Sequence, residues 1–343
     1  MSRRFAGREP RGQLIIVAAL LLAVVFVGLA LIVNSAIFAE NLATRDTGDS
    51  EEAKAFTLDA SGAVMEAYTL ANGADANTTS EARATFNATF DAWAGAAKER
   101  AAKRGVATEI ERTPHLGWRL EQRSDRPFTP ANDTDATEWQ VASDTENVST
   151  AQVNVTRDSL YDAALDFDNT SDDAFRFRVD NGTHDWRVYV FRDSTNSTMV
   201  VHVGDPGDFG TLDALLDVES TCTRTASRAV IDFRNATFDG TDCAPLAFGG
   251  NLTGPVDIHY ENVREGVGGT PRVEGQYTLV VNGSKTVATD GSGYPDQFNN
   301  TTDAAPTAQG IVYAASYATE YEGDDVAHDR SGRLLVRAEA YAG

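Results

Sequence analysis

Near the start of the chain, residues 14–33 carry no charge, and the uncharged run extends over 13–39. At about 1.5 Å per helical residue, twenty residues span roughly 30 Å, the thickness of a hydrocarbon core. A buried helix of a soluble protein would show a polar stripe, and this run shows none. It is also longer than the ~7–15 apolar residues of a cleaved secretory signal. The run therefore predicts a single membrane-spanning helix over 13–39, in contact with membrane lipid.

The flanks set its expected direction. Arg3, Arg4, Arg8 and Arg11 precede it, whereas Glu40 and the acidic "TRDTGDSEEAK" follow. Positive charge is retained on the cytoplasmic side, so 1–12 is expected inside the cell and the C-terminal part outside. No second apolar run of comparable length follows, which implies a single-pass protein at the cell membrane.

A separate signal agrees. The sequon Asn-x-Ser/Thr occurs at Asn77, Asn87, Asn132, Asn147, Asn154, Asn169, Asn181, Asn196, Asn235, Asn251, Asn282, Asn299 and Asn300, which is 13 of 17 asparagines. Ser and Thr make up about 15% of the chain, so chance would supply two or three. Turn chemistry explains an occasional Asn-x-Thr but not this excess. All 13 follow the apolar run, which predicts an exported, N-glycosylated surface.

Charge excludes other classes. The formal net charge is -22, from 51 acidic residues against 25 Arg and 4 Lys. Nucleic acid is not an expected partner, because phosphate binding needs clustered cations. An acidic, solvated surface is the ordinary reading. The two cysteines, Cys222 and Cys243, would close a loop of about 20 residues in an oxidising compartment, worth roughly 3 kcal/mol. In a reducing cytosol they would be free thiols.

The remainder reads as α+β. Residues 40–105 are expected to form an extracellular helical stalk. Its first helix presents Phe56, Leu58, Val64, Met65, Tyr68 and Leu70 on one side, with a break near Gly48. A second helix over 79–105 has Phe86, Phe90 and Trp93 on one face and ends at Gly105. From 106 to 343 the period changes to two. "FRFRV" and "WRVYVF" flank the turn "DNGTHD", a hairpin signal. Further strands are expected at "GWRLEQ", "EWQVAS", "AQVNVT", "TMVVHV", "AVIDF", "VDIHYENV", "GQYTLVVN", "GIVYAASYA" and "GRLLVRAEAY", with a short helix over 211–220. This predicts an antiparallel, sandwich-like extracellular β domain.

Chemical motifs are absent. The histidines His115, His184, His202, His259 and His328 form no HExxH or HxH, and there is no GxSxG or P-loop. Asp166, Asp168 and Asp172 have partly EF-hand-like spacing, but Ser171 replaces the loop glycine and Phe177 the terminal glutamate. No metal, cofactor or enzymatic activity is expected.

The junction "PRGQLIIV" resembles the processing site of archaeal type IV pilin-like proteins, with Arg11 and Gly12 before the cut and Gln13 after it. The same segment is similar to the N-terminal helix of TadE/TadG-type pilus-assembly proteins. Pro10 and Val17 depart from the commonest pilin pattern. The acidic, Lys-poor composition resembles that of haloarchaeal proteins, and the layout that of a family of uncharacterised haloarchaeal membrane proteins. The resemblance implies a structural subunit that meets other pilin-like or assembly subunits through its apolar helix. The alternative is a membrane-tethered extracellular module that binds a small ligand or polysaccharide. The two differ at Gly12–Gln13, cut in one and intact in the other.

Overall fold

The computed structural model describes residues 11–164, 170–204, 220–251, 253–263, 273–282, 296–300, 306–323 and 327–335. Within the apolar run, side chains are described for 20–35. The chain divides into two compact units. One comprises Met1–Ala60, Ala97–Glu109 and Thr319–Arg330; the other comprises Ser61–Ala96, Ile110–Ala318 and Ser331–Gly343.

Two helices lead. α1 (Arg11–Gly73) is one continuous helix of 63 residues, about 95 Å long at 1.5 Å per residue. The break expected near Gly48 does not occur. One interior glycine costs about 1 kcal/mol, which a long cooperative helix tolerates. The buried face of α1 keeps Val64 and Tyr68 of the expected stripe and leaves out Leu58, Met65 and Leu70. Ala53, Thr57, Ala60, Ala63, Val64, Ala67, Tyr68, Ala71 and Asn72 are buried, whereas Leu58, Met65 and Leu70 are exposed. The spacing is helical, but the stripe is built of small residues that let the backbone approach closely.

α2 (Thr79–Ala102) starts at a capping box. The Glu81 N–H donates to Thr78 Oγ1 at 3.2 Å, and Glu81 Oε2 accepts the Asn77 N–H at 2.8 Å. It ends in a Schellman motif at Gly105, whose φ is +79°. There the Val106 N–H donates to the Ala101 carbonyl and the Gly105 N–H to that of Ala102. Phe86 and Phe90 are buried as expected, on a face completed by Ala82, Ala94, Ala97 and Ala101.

Within the first unit, the Tyr321 hydroxyl donates to Glu52 Oε2 at 3.2 Å, and Arg104 pairs with the same carboxylate at 3.1 Å.

Among the described residues thirteen strands follow: β1 (Ala107–Pro127), β2 (Trp139–Thr156), β3 (Phe175–Asp180), β4 (Asp185–Asp193), β5 (Thr198–Val203), β6 (Thr221–Arg224), β7 (Arg228–Asp232), β8 (Thr237–Phe238), β9 (Thr241–Asp242), β10 (Thr253–Glu261), β11 (Glu274–Asn282), β12 (Thr307–Glu322) and β13 (Ala327–Leu335). They belong to one sheet ordered β13-β12-β1-β11-β2-β10-β3-β4-β5-β6, with a branch in which β7 leaves β2 and carries β8 and β9. The chain is thus α+β, with a large antiparallel sheet.

The described strands do not separate into two sandwiched sheets. The reason lies in β2, which was expected as two strands and is one. Its first part pairs with β10 and its last five residues with β7. Register shifts along β10·β2 and β11·β2 mark bulges that bend it. One strand therefore serves both walls of a single core. The inward faces supply Phe128, Trp139, Phe175, Phe177, Phe233, Phe238, Tyr260 and Tyr277. The path β2-β10-β3-β4-β5-β6 returns toward the branch β2-β7-β8-β9, giving a ring of strands that no ladder closes among the described residues.

The helices are fastened to the sheet by polar clamps within the second unit. The Asn72 amide donates to the Val312 carbonyl at 3.0 Å and accepts the Val312 N–H at 2.8 Å, so one side chain substitutes for a neighbouring strand. A Cβ on Gly310 would run into the Thr78 backbone at the start of α2. The expected helix over 211–220 and Asp166 and Asp168 of the acidic turn lie outside the described residues, apart from Ser220.

Candidate functional site

The apolar run gives the first candidate surface. Leu20, Leu21, Leu22, Val24, Val25, Phe26, Val27, Leu29, Leu31, Ile32 and Val33 are each 48–70% exposed. Residues 24–27 step through almost a full helical turn, so the exposed apolar surface has no polar side. Surface of this kind marks a membrane or partner contact. Among the described residues no helix is long and apolar enough to cross a membrane. The stretch with described side chains is 20–35, shorter than the ~17–25 residues a span needs. The rest of 13–39 lies outside it. The Gly12–Gln13 bond, with Arg11 before it, falls in the first turn of α1.

The sequon asparagines occupy three settings. Asn77, Asn132, Asn196, Asn235 and Asn300 are exposed. Asn87, Asn147, Asn154, Asn181, Asn282 and Asn299 are half-buried. Of these, Asn147, Asn154 and Asn282 lie in paired strands, with Asn147 opposite Asn282 and Asn154 opposite Gln276. Asn154 Oδ1 also accepts the Arg228 Nε–H at 2.8 Å. Asn169 and the side chain of Asn251 lie outside the described residues.

Cys222 on β6 and Cys243 just after β9 form a disulfide, with Cα atoms 5.9 Å apart. They join the last strand of the main path to the end of the branch. Nearby, Arg224 Nε donates to the Phe238 carbonyl at 3.0 Å, and its guanidinium lies 5.4 Å from the centre of that ring. The ring of strands is closed here by a covalent bond and one arginine.

Sequence reasoning missed a charged array on the sheet face opposite the aromatic core. In register, β10 places His259 and Glu261 beside Arg178 and Arg176 of β3, and β4 places Arg187 and Asp185 beside Arg178 and Asp180. Arg178 and Arg187 face each other directly, and Asp185 relieves the repulsion. It accepts from Arg178 Nε at 2.8 Å and from Arg187 at 2.7 Å. Glu261, which is buried, pairs with Arg176 at 2.8 Å and with Arg178 at 3.5 Å. Hydrogen bonding to Asp185 raises the Arg178 pKa against the cost of burial. Burial opposes ionisation of Asp185, but Arg178 and then Arg187 outweigh it and hold its carboxyl below the usual value. The array crosslinks three strands. Its signal was visible in the alternating arginines of "FRFRV" and the Asp-x-Arg of "DWR".

The histidines are dispersed. His202 is buried, its Nδ1 3.2 Å from Thr221 Oγ1. His184 stacks on Trp186 with centroids 5.5 Å apart, and His115 lies 3.4 Å from Ser316 Oγ. Among the described residues no three His, Cys, Asp or Glu side chains group to hold a metal. An open groove of about 430 Å³ lies along β1, β12 and β13, lined by Glu111, Arg112, Thr113, Ser316, Tyr317 and Ser331.

These features define a helix-led antiparallel β protein with an apolar leading helix and Asn-x-Ser/Thr triplets on both turns and strands. Residues 8–156 match a family described as a family of unknown function, DUF7261; the matched stretch takes in α1, α2, β1 and β2. No curated protein and no solved structure matches the chain.

Proposed function

We propose that the chain is a single-pass, membrane-anchored, N-glycosylated surface protein, a pilin-like or pilus-assembly structural component that performs no catalysis. The observation that carries this reading is the exposed apolar circumference of α1 over 20–33. Water does not tolerate such a surface, whereas lipid or a bundle of like helices covers it. Four arginines before the run and 13 sequons after it support a cytoplasmic N-terminus and an extracellular C-terminal part. The matched family adds no activity to this reading.

N-terminal sequencing or intact mass of the membrane-extracted protein tests it. The pilin-like reading expects a chain beginning at Gln13. A chain beginning at Met1 or Ser2 would leave a tethered protein and remove the pilin role. Recovery of the full chain in the aqueous phase of a detergent partition would defeat the anchor itself.

The groove beside Tyr317 favours a second reading, a tethered module that binds a small ligand or polysaccharide. It combines one aromatic ring with several polar side chains. Binding to a glycan array that is lost in Tyr317→Ala would support it, and an array without signal would count against it.

A further inference from the structure

We propose that Asn196 and Asn235 are the principal N-glycan acceptors of this chain, presented by two matching hairpin turns. The inference rests on the exported, glycosylated reading above, and it assigns which sequons do the work.

The turns joining β4 to β5 and β7 to β8 read "DSTNST" (193–198) and "DFRNAT" (232–237). Both have the pattern Asp-x-x-Asn-x-Thr, and both fold the same way. In the first, Asp193 Oδ1 accepts the N–H groups of Thr195 and Asn196 at 2.9 and 3.3 Å, and Oδ2 accepts Asn196 Nδ2–H at 2.6 Å. In the second, Asp232 Oδ1 accepts the N–H groups of Arg234 and Asn235 at 3.0 and 2.9 Å, and Oδ2 accepts Asn235 Nδ2–H at 2.8 Å. The middle sequon residue is left-handed in each, with φ of +55° at Ser197 and +51° at Ala236. Both aspartates are buried and both asparagines exposed. A buried carboxylate thus holds each acceptor outward at a hairpin end.

The chemistry of the amide separates these sites from Asn300 and from the three strand sites. Glycan transfer forms a bond from Nδ2 to the anomeric carbon of a lipid-phosphate-linked oligosaccharide. It breaks that carbon's bond to the carrier phosphate, which departs, and releases one Nδ2 proton to solvent. One N–H remains on the amide. At Asn196 and Asn235 that hydrogen continues to serve the aspartate, so the turn survives modification. At Asn300, Nδ2 donates to both Asn77 Oδ1 (3.2 Å) and the Ala308 carbonyl (2.7 Å), so transfer there breaks a bond. Asn147, Asn154 and Asn282 sit half-buried within the ladder, where a sugar would meet neighbouring strands.

Intact-glycopeptide mass spectrometry of the full-length protein from its native membrane tests the assignment. The expected result is occupancy at Asn196 and Asn235 at least several-fold above that at Asn147, Asn154 and Asn282, with Asn196→Gln and Asn235→Gln each removing one glycan mass. Glycans spread evenly, or concentrated on the three strand sites, would overturn the assignment while leaving the protein a glycoprotein. Glycan-free peptides at every sequon would instead overturn the glycosylated reading on which it rests.

Discussion

The ring of Phe233 lies stacked on that of Phe177, with centroids 3.9 Å apart and planes 16° from parallel. Phe177 belongs to β3 on the main path, and Phe233 follows β7 on the branch. The pair therefore spans the interior of the strand ring, and both side chains are fully buried. Phe233→Ala removes one wall of the contact and leaves a cavity. The expected loss is about 3–5 kcal/mol, read as a lowered midpoint in chemical unfolding.

The Asn72 clamp is a second point of fracture. It is buried and bonded in both directions to Val312. Asn72→Ala leaves a carbonyl and an N–H of β12 without their partner. A loss of about 2–4 kcal/mol is expected, and faster amide exchange at Val312 would localise it. Unchanged exchange at that residue would contradict the clamp.

Reduction should open the strand ring where no ladder among the described residues closes it. The Cys222–Cys243 bond spans 21 residues, worth roughly 3 kcal/mol in the chain-entropy picture. Unfolding midpoints with and without reductant should differ accordingly, and a Cys222→Ser, Cys243→Ser double variant should match the reduced protein.

Acid should weaken the charged array before it touches the core. The Asp185 carboxyl has a native pKa below its unfolded value. A depressed acid contributes stability that is complete above its unfolded pKa, about 4, and is lost as pH falls through the native value. Thermal midpoints should therefore decline below about pH 4. In Asp185→Asn the overall midpoint is lower and that part of the decline is absent.

Two core phenols should remain neutral in strong base. Burial pushes the Tyr260 pKa well up, with Tyr277 adding to it; burial does the same to Tyr277. Neither hydroxyl has a hydrogen-bond partner among the described residues. Tyr260→Phe should thus change stability by less than about 1 kcal/mol. Ultraviolet titration should show the phenolate absorbance of these two rings only on unfolding.

Alternation made most strands legible. Phe175, Phe177 and Val179 point to the core and Arg176 and Arg178 away from it, as period two requires. The continuity of β2 was not legible, because the polar "SDTENVST" reads as a turn. In the fold Thr145 is buried there and Asp144 is left-handed with φ of +48°, so the segment is a bend within a strand. The helix face was legible at Val64 and Tyr68 but misread at Leu58, Met65 and Leu70, which outweigh alanine on any hydrophobicity scale, while close docking selects the alanines. Both cysteines were legible as a pair. Their position at two loose ends of a branched sheet depends on strand order, which no local pattern encodes. Sequon positions were fully legible, but the split between turn and ladder sites required the register.

The order of strands also bears on inheritance. The stretch matched by the family, 8–156, contributes β1 and β2, yet these two are not neighbours. β11 runs between them, and β2 takes its other partners from β10 and β7. Everything that β2 pairs with is encoded downstream of the match. A fragment ending at Thr156 would hold two long strands with open edges and nothing between them, prone to capture other chains.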